Sequence, residues 1–240
     1  MLISQAKLVE RKLRKKASRW RRQLFEAVGS DRYSKPARGS YQDALERYLP
    51  KTGFFVEAGA NDGFSESNTY HLEKFKGWTG VLVEAIPELY RACVRERSQS
   101  KVFNYALVNP EYPQATMTLT YSHLMSFAKG SLGTEEYEQA RVQKAQQYWD
   151  FQSYEVEVPT RTLASILDAV GQPQIDFLSL DVEGFEIEVL QGLDLNRYQP
   201  QYLLIECWNP AAKQRVEALI GKQYQFVRKF AKWDYLYQLK

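Results

Sequence analysis

A chain of 240 residues, 44% hydrophobic and 14% aromatic, can bury a sizeable single core, so one domain with additions is expected and no repeat array or low-complexity tract is present. Its two cysteines, Cys93 and Cys207, have no paired spacing, which excludes a disulfide framework or a zinc site and points to a reducing compartment. No run approaches the roughly 18 apolar residues of a membrane span, and the N-terminus lacks the apolar block of a signal peptide, so a cytoplasmic location is expected.

The net charge of +3 is unevenly distributed. Residues 1–22 carry nine basic side chains against Glu10 alone, leaving the remainder of the chain acidic. Within this arm Leu2, Ala6, Val9, Leu13, Ala17, Trp20 and Leu24 recur at steps of three and four, so residues 1–30 read as a basic amphipathic helix ahead of a domain at 31–240. Such a helix suits anionic lipid at a membrane surface, its own acidic domain, or a second subunit. Nucleic acid is disfavoured, because the rest of the chain has no recognition motif and no further basic cluster.

The run Gly53-Phe54-Phe55-Val56 breaks into Glu57-Ala58-Gly59-Ala60-Asn61-Asp62-Gly63 and then into the capping residues Ser65 and Ser67. This reads as a buried strand, a tight turn and a helix start, the first βα turn of a nucleotide-binding α/β sheet. A pyrophosphate-binding turn would need Gly-x-Gly-x-x-Gly, whereas only Gly59 and Gly63 are present and Glu57 places an anion at the strand end. A dehydrogenase is therefore disfavoured, and a ligand with a cationic amino-acid end and a neutral nucleoside, S-adenosylmethionine, fits better. Gly80-Val81-Leu82-Val83 then ends in Glu84, 21 residues beyond Gly63, where one carboxylate can accept both ribose hydroxyls.

Strand and helix signals continue to alternate. Pro87–Arg97 reads as a helix, Lys101–Val108 as a third strand, Thr162–Val170 as a helix, and Ile175–Leu180 as a fourth strand ending at Asp181. A helix over Phe185–Gln191, a strand Tyr202–Ile205 ending at Glu206, a helix Ala211–Ile220 and a closing hairpin from Tyr224 to Leu239 follow. The expected architecture is α/β: a Rossmann-like, seven-stranded, mostly parallel sheet with an antiparallel C-terminal edge hairpin and helices on both faces. Glu57, Glu84, Asp181 and Glu206 would then share the rim where such sheets bind ligands. Residues from about 109 to 161 depart from the alternation, with half-buried strands at Met117–Tyr121 and Tyr154–Val158 around a polar helix Thr134–Trp149, and read as a lid or substrate insertion.

Glu57-Ala58-Gly59-Ala60-Asn61-Asp62-Gly63, Ser67-Asn68-Thr69, Gly77 to Glu84 and Leu180-Asp181-Val182-Glu183-Gly184-Phe185-Glu186 together resemble the FkbM-type S-adenosylmethionine-dependent methyltransferases. The resemblance runs from about residue 50 to 208, leaves the basic arm outside, and matches the insertion only loosely. It implies a methyltransferase fold, methyl transfer to a hydroxyl of a sugar, glycan or small natural product, and a cofactor set of Glu57, Gly59, Asn61, Gly63, Asn68, Glu84, Asn104 and Asp181. A nucleic-acid methyltransferase using the basic arm and a non-catalytic cofactor-binding module are the alternatives.

Transfer to an alcohol needs in-line placement and removal of the hydroxyl proton, the latter contributing typically 10²–10⁴-fold. Asp181, at a strand end, and Glu183, in the following turn, are the leading catalytic residues, since burial or a neighbouring like charge can raise a carboxylate into the range of a useful base. His123, at the entrance to the insertion, is a third, whereas His71 falls within the first helix and reads as packing. Asp181, Glu206 and Asn209 offer three hard oxygen ligands that would suit Mg²⁺, while Glu183 and Glu186 are also placed to cap a helix.

Overall fold

The computed structural model describes residues 2–37, 41–130, 134–149, 151–171 and 174–240. Helix α1 (Leu2–Ala27) and the short α2 (Gln42–Glu46) precede β1 (Phe54–Ala58), α3 (Tyr70–Lys76), β2 (Thr79–Val83), α4 (Pro87–Glu96) and β3 (Lys101–Phe103). The central stretch holds β4 (Ala106–Leu107), β5 (Thr116–Tyr121), β6 (Phe127–Ala128), α5 (Glu135–Trp149) and β7 (Tyr154–Arg161). The alternation resumes with α6 (Leu163–Val170), β8 (Phe177–Leu180), α7 (Glu186–Leu193), β9 (Tyr202–Glu206), α8 (Pro210–Ile220), β10 (Tyr224–Lys229) and β11 (Asp234–Leu239).

Among the described residues the main sheet has seven strands in the order β10-β11-β9-β8-β1-β2-β3. Its strands pair in parallel except for β11, which runs antiparallel to both β9 and β10. Because the central strands are buried on both faces, alternate residues serve two cores. Val56, Val81, Leu178 and Leu203 pack with Leu163 and Ile166 of α6, Val189 and Leu190 of α7, and Val216 and Ile220 of α8. Phe55, Leu82, Phe177 and Leu204 face the other way, toward Leu45 of α2, Leu72 of α3 and Cys93 of α4. Each such fully buried side chain contributes about 1.5–3 kcal/mol relative to exposure.

The third strand departs from expectation. Lys101–Val108 is not one strand: β3 stays in the main sheet, while β4 leaves it to pair with β7. The break falls at Asn104, whose side-chain amide donates to the carbonyls of Glu84 and Ala85, both at 2.8 Å, and so turns the chain away from β2. Together with β4 the insertion forms a second sheet of order β4-β7-β5-β6, with α5 between β6 and β7 in the chain.

Helix α1 ends at Ala27, and Gly29, two residues on, takes a left-handed φ of 77°. The face it turns to the domain is polar. Arg22 is buried, reaches Glu96 at 2.6 Å, and lies over the Phe64 ring at 3.8 Å. Glu26 accepts from Ser34 at 2.6 Å and from Tyr70 at 2.9 Å. Leu13, Trp20 and Leu24 of the predicted apolar stripe are exposed, by 61–65%. The side chains of Leu2, Ala6, Val9, Lys7, Arg11 and Lys12 lie outside the described part.

Candidate active site

The sheet register builds the site. Ala58 pairs with both Val83 and Leu180, and Leu180 with Ile205, so the next residue of each strand, Glu84, Gly59, Asp181 and Glu206, falls into one row at the carboxyl edge. Strand order reverses between β1 and β8, which is where an open α/β sheet leaves its ligand crevice. A cavity of about 420 Å³ opens there. Glu57, Gly59, Asn61, Asn68, Glu84, Asp181, Glu183, Glu206 and His123 all line it, so most of the expected site residues converge.

Gly59 crosses closest to β8. It holds φ of 84°, and a Cβ there would lie 1.8 Å from the Asp181 carbonyl oxygen, so no larger residue fits this turn. Asn61, also left-handed, donates its backbone N–H to Glu84 at 2.7 Å, while Ile86 donates to the other carboxylate oxygen at 2.8 Å. Glu84 is thus clamped between the first glycine turn and the start of α4, and burial pushes its carboxyl up to about 7 against those two bonds.

Glu57 has a different part from a direct ligand. Its buried carboxylate accepts from the Ser67 hydroxyl (2.8 Å), the Asn68 backbone (2.8 Å) and the Thr69 hydroxyl (2.6 Å), with the fully buried Arg97 at 3.3 Å. Arg97 in turn holds Glu73 at 2.9 Å and donates to Ser67 and Thr69. This network fixes the Ser67-Asn68-Thr69 entry to α3 and presents Asn68, which donates to Ser179 and accepts from Tyr41, both at 2.9 Å. Two expected cofactor residues are not on the cavity wall: Gly63 makes room for Arg97 and Cys93, and Asn104 braces the turn after Glu84 from behind.

On the opposite side, the half-buried Asp181 stands between like charges. Desolvation first, then Glu206, hold its carboxyl well above the usual carboxylate range, and its buried Oδ1 has no hydrogen-bond partner among the described residues. Glu183, in a left-handed turn, is pushed up to about 8 by burial, although Arg141 of α5 donates to it at 2.8 Å and pulls the other way. Glu186, in the first turn of α7, accepts from the Val182 N–H at 3.3 Å and the Gly184 N–H at 3.0 Å and so ties down the turn ahead of the helix without a side-chain cap bond, with burial raising it to about 7. Glu206 accepts from the Trp208 indole at 2.5 Å, and Arg141 lies 4.3 Å above the Trp208 ring.

His123 reaches the cavity wall from the short 3-10 turn after β5, with its ring stacked on Trp149 at 4.9 Å. His71 is packing, as expected: it is buried with its ring nitrogens 2.5 Å from Glu46 and 3.1 Å from Asp31. The proposed Mg²⁺ trio is not assembled, because the exposed Asn209 accepts from Ala212 at 2.8 Å as the N-cap of α8. Among the described residues no group of three His, Cys, Asp or Glu is placed to hold a metal.

Sequence reasoning missed Arg141, Trp208, Ser179, Tyr41 and Arg97. None sits in a local motif: Arg141, Ser179, Tyr41 and Arg97 meet their partners across long stretches of chain, whereas Trp208 stands two residues after Glu206.

The sheet order, the carboxyl-edge cavity and the row of strand-end acids define a Rossmann-like methyltransferase fold. Residues 57–239 match the family model of the methyltransferase FkbM domain, and the chain belongs to this family of S-adenosylmethionine-dependent methyltransferases. It is 28% identical over 213 residues to methyltransferase sdnD of Sordaria araneosa, an alignment covering 77% of this chain and 78% of that one. The crystal structure of the methyltransferase FkbM from Methylobacillus flagellatus KT superposes with a TM-score of 0.50 at 15% identity. That superposition covers 90% of this chain but 52% of the other, so the chain spans about half of that protein's length.

Proposed function

We propose that this protein moves a methyl group from S-adenosylmethionine to a hydroxyl of an uncharged acceptor, a sugar, glycan or small natural product. The observation that carries the reading is the row of carboxyls at the sheet edge, buried Glu84 and Glu206 with half-buried Asp181 between them, joined by half-buried Glu183 on the insertion side. Desolvated carboxyls of this kind favour a cationic donor, whose charge would draw them into the ionised form, and Asp181 Oδ1 has no hydrogen-bond partner among the described residues. When bound, S-adenosylmethionine supplies an electrophilic methyl group on a sulfonium. Glu84 would hold its ribose, with Gly59 and Asn61 shaping the turn beneath it.

The same charge distribution bears on the acceptor. A phosphate or carboxylate placed beside these carboxyls would raise their proton affinity further and be repelled by any that ionise, which weighs against nucleic acid at this cavity and favours a neutral hydroxyl. Trp208, Trp233 and Tyr137 line the cavity with flat apolar faces against which such a molecule can lie. Glu183 serves as the base: burial weakens its acidity enough to accept a proton near neutral pH, and Arg141 orients it through a charge-assisted bond. Asp181 is the alternative proton acceptor, and His123 a third.

Release of S-adenosylhomocysteine, measured across neutral hydroxyl acceptors, amines, carboxylates and RNA, tests the proposal. Turnover confined to hydroxyl acceptors is the expected result. Turnover on RNA or amines alone would reject it, and tight cofactor binding with no turnover on any class would favour a non-catalytic module.

A further inference from the structure

Helix α1 presents an arrangement the cavity does not explain. Leu13, Ala17, Trp20 and Leu24 follow one another at steps of four, three and four, and all are exposed. Arg19, Arg22 and Glu26, which bond to the domain or to its neighbours through Glu96, Ser34 and Tyr70, occupy another stripe. At 3.6 residues per turn Arg22 lies roughly 200° around the helix from Trp20 and a similar angle from Leu24, so the apolar stripe points away from the domain. Arg14 and Arg21 flank the stripe on one side and Lys16 on the other, all exposed. The usual polarity of a surface helix is reversed: the charged face is docked and the apolar face is presented.

We propose that α1 lays this stripe into the surface of an anionic lipid bilayer. Charge decides between the occupants such a face could take. The helix carries nine Lys and Arg against Glu10 and Glu26, so pairing it with a second copy of itself would oppose two strongly basic surfaces. A bilayer rich in anionic headgroups attracts those flanks while its acyl boundary receives Leu13, Trp20 and Leu24. Tryptophan suits that boundary because its ring is amphipathic. The helix lies on the surface and does not span: among the described residues no helix is long and apolar enough to cross a membrane. Docking by the polar face holds the stripe outward without conformational change.

Flotation of the full chain with phosphatidylcholine vesicles, with and without phosphatidylglycerol, tests the proposal. The wild type is expected to float with the anionic vesicles only, and less so as salt rises. The double variant Trp20→Glu with Leu24→Glu changes exposed positions, so its circular dichroism and melting should match the wild type while vesicle binding falls by roughly tenfold or more. Arg14→Ala with Lys16→Ala and Arg21→Ala should weaken binding to anionic vesicles and flatten its salt dependence. Absence of flotation, or equal flotation with neutral vesicles, overturns the proposal. So does a dimer in sedimentation that dissolves on Trp20→Glu in a chain that ignores vesicles, or RNA binding by such a chain.

Discussion

Gly59 and Asp181 meet backbone to backbone: the turn that leaves β1 presses on the carbonyl of the residue that ends β8, with no room for a methyl group between them. This contact joins the glycine turn to one of the strand-end acids of the cavity. Gly59→Ala would combine a left-handed φ of 84° with direct overlap. A loss of at least about 2 kcal/mol in urea unfolding is expected, together with loss of S-adenosylmethionine binding. Unchanged unfolding and affinity would show that the turn has slack.

Asp181→Asn should lower kcat by at least about 10² while stabilising the fold. The sign follows from burial beside Glu206, which raises the folded-state value above the unfolded one of about 3.9. The folded chain therefore holds a proton that the unfolded chain has lost, and wild-type stability declines as pH rises from about 4 through the folded value. The Asn variant lacks that decline, so its Tm advantage should grow over this range. Because Asn209 is committed to capping α8, EDTA should leave wild-type turnover intact; loss of activity restored by Mg²⁺ would return a metal to the site.

The Glu183 carboxyl sets a pH limb. Only its ionised form accepts a proton, so kcat/KM should climb with pH and level off above about 8. Glu183→Gln should remove the limb along with most of the rate. Arg141→Gln takes away the cation that lowers the Glu183 value and should shift the limb to higher pH, a displacement that a merely structural role for Arg141 would not produce.

Glu84→Gln should weaken S-adenosylmethionine binding at least tenfold, since each hydrogen bond to a charged acceptor is worth about 1.5–3 kcal/mol. Wild-type affinity should also fall as pH drops below about 7, where this buried carboxyl takes up a proton. Calorimetry measures both. The same titrations should show no NAD binding, because the turn lacks a phosphate-binding glycine set; NAD binding tighter than S-adenosylmethionine would contradict the site assignment.

Arg97→Met should destabilise by about 3–5 kcal/mol, because it leaves the buried carboxylates of Glu57 and Glu73 uncompensated. Chemical denaturation measures this. A near-neutral result would mean that the hydroxyl and backbone donors around Glu57 and Glu73 hold both acids without Arg97.

The sequence by itself determined the elements and the strand-end acids. A run such as Gly80-Val81-Leu82-Val83 ending in Glu84 is legible because strand propensity and its termination are local properties, and the same holds for Leu180-Asp181 and Ile205-Glu206. Tertiary structure decided what those acids experience. Only the register that pairs Ala58 with both Val83 and Leu180 sets Gly59 against Asp181 and Asp181 beside Glu206, and only the resulting burial raises the proton affinity of Asp181 and Glu84. Arg141 stands 42 residues from Glu183, and Arg97 is 40 from Glu57, so no spacing rule could join them. For α1 the periodicity established an apolar stripe, but its orientation was set by Glu96, Phe64 and Tyr70, which bind the charged face and leave the stripe turned outward. Local chemistry writes a helix or a strand end; which neighbour each side chain meets is a long-range property of packing.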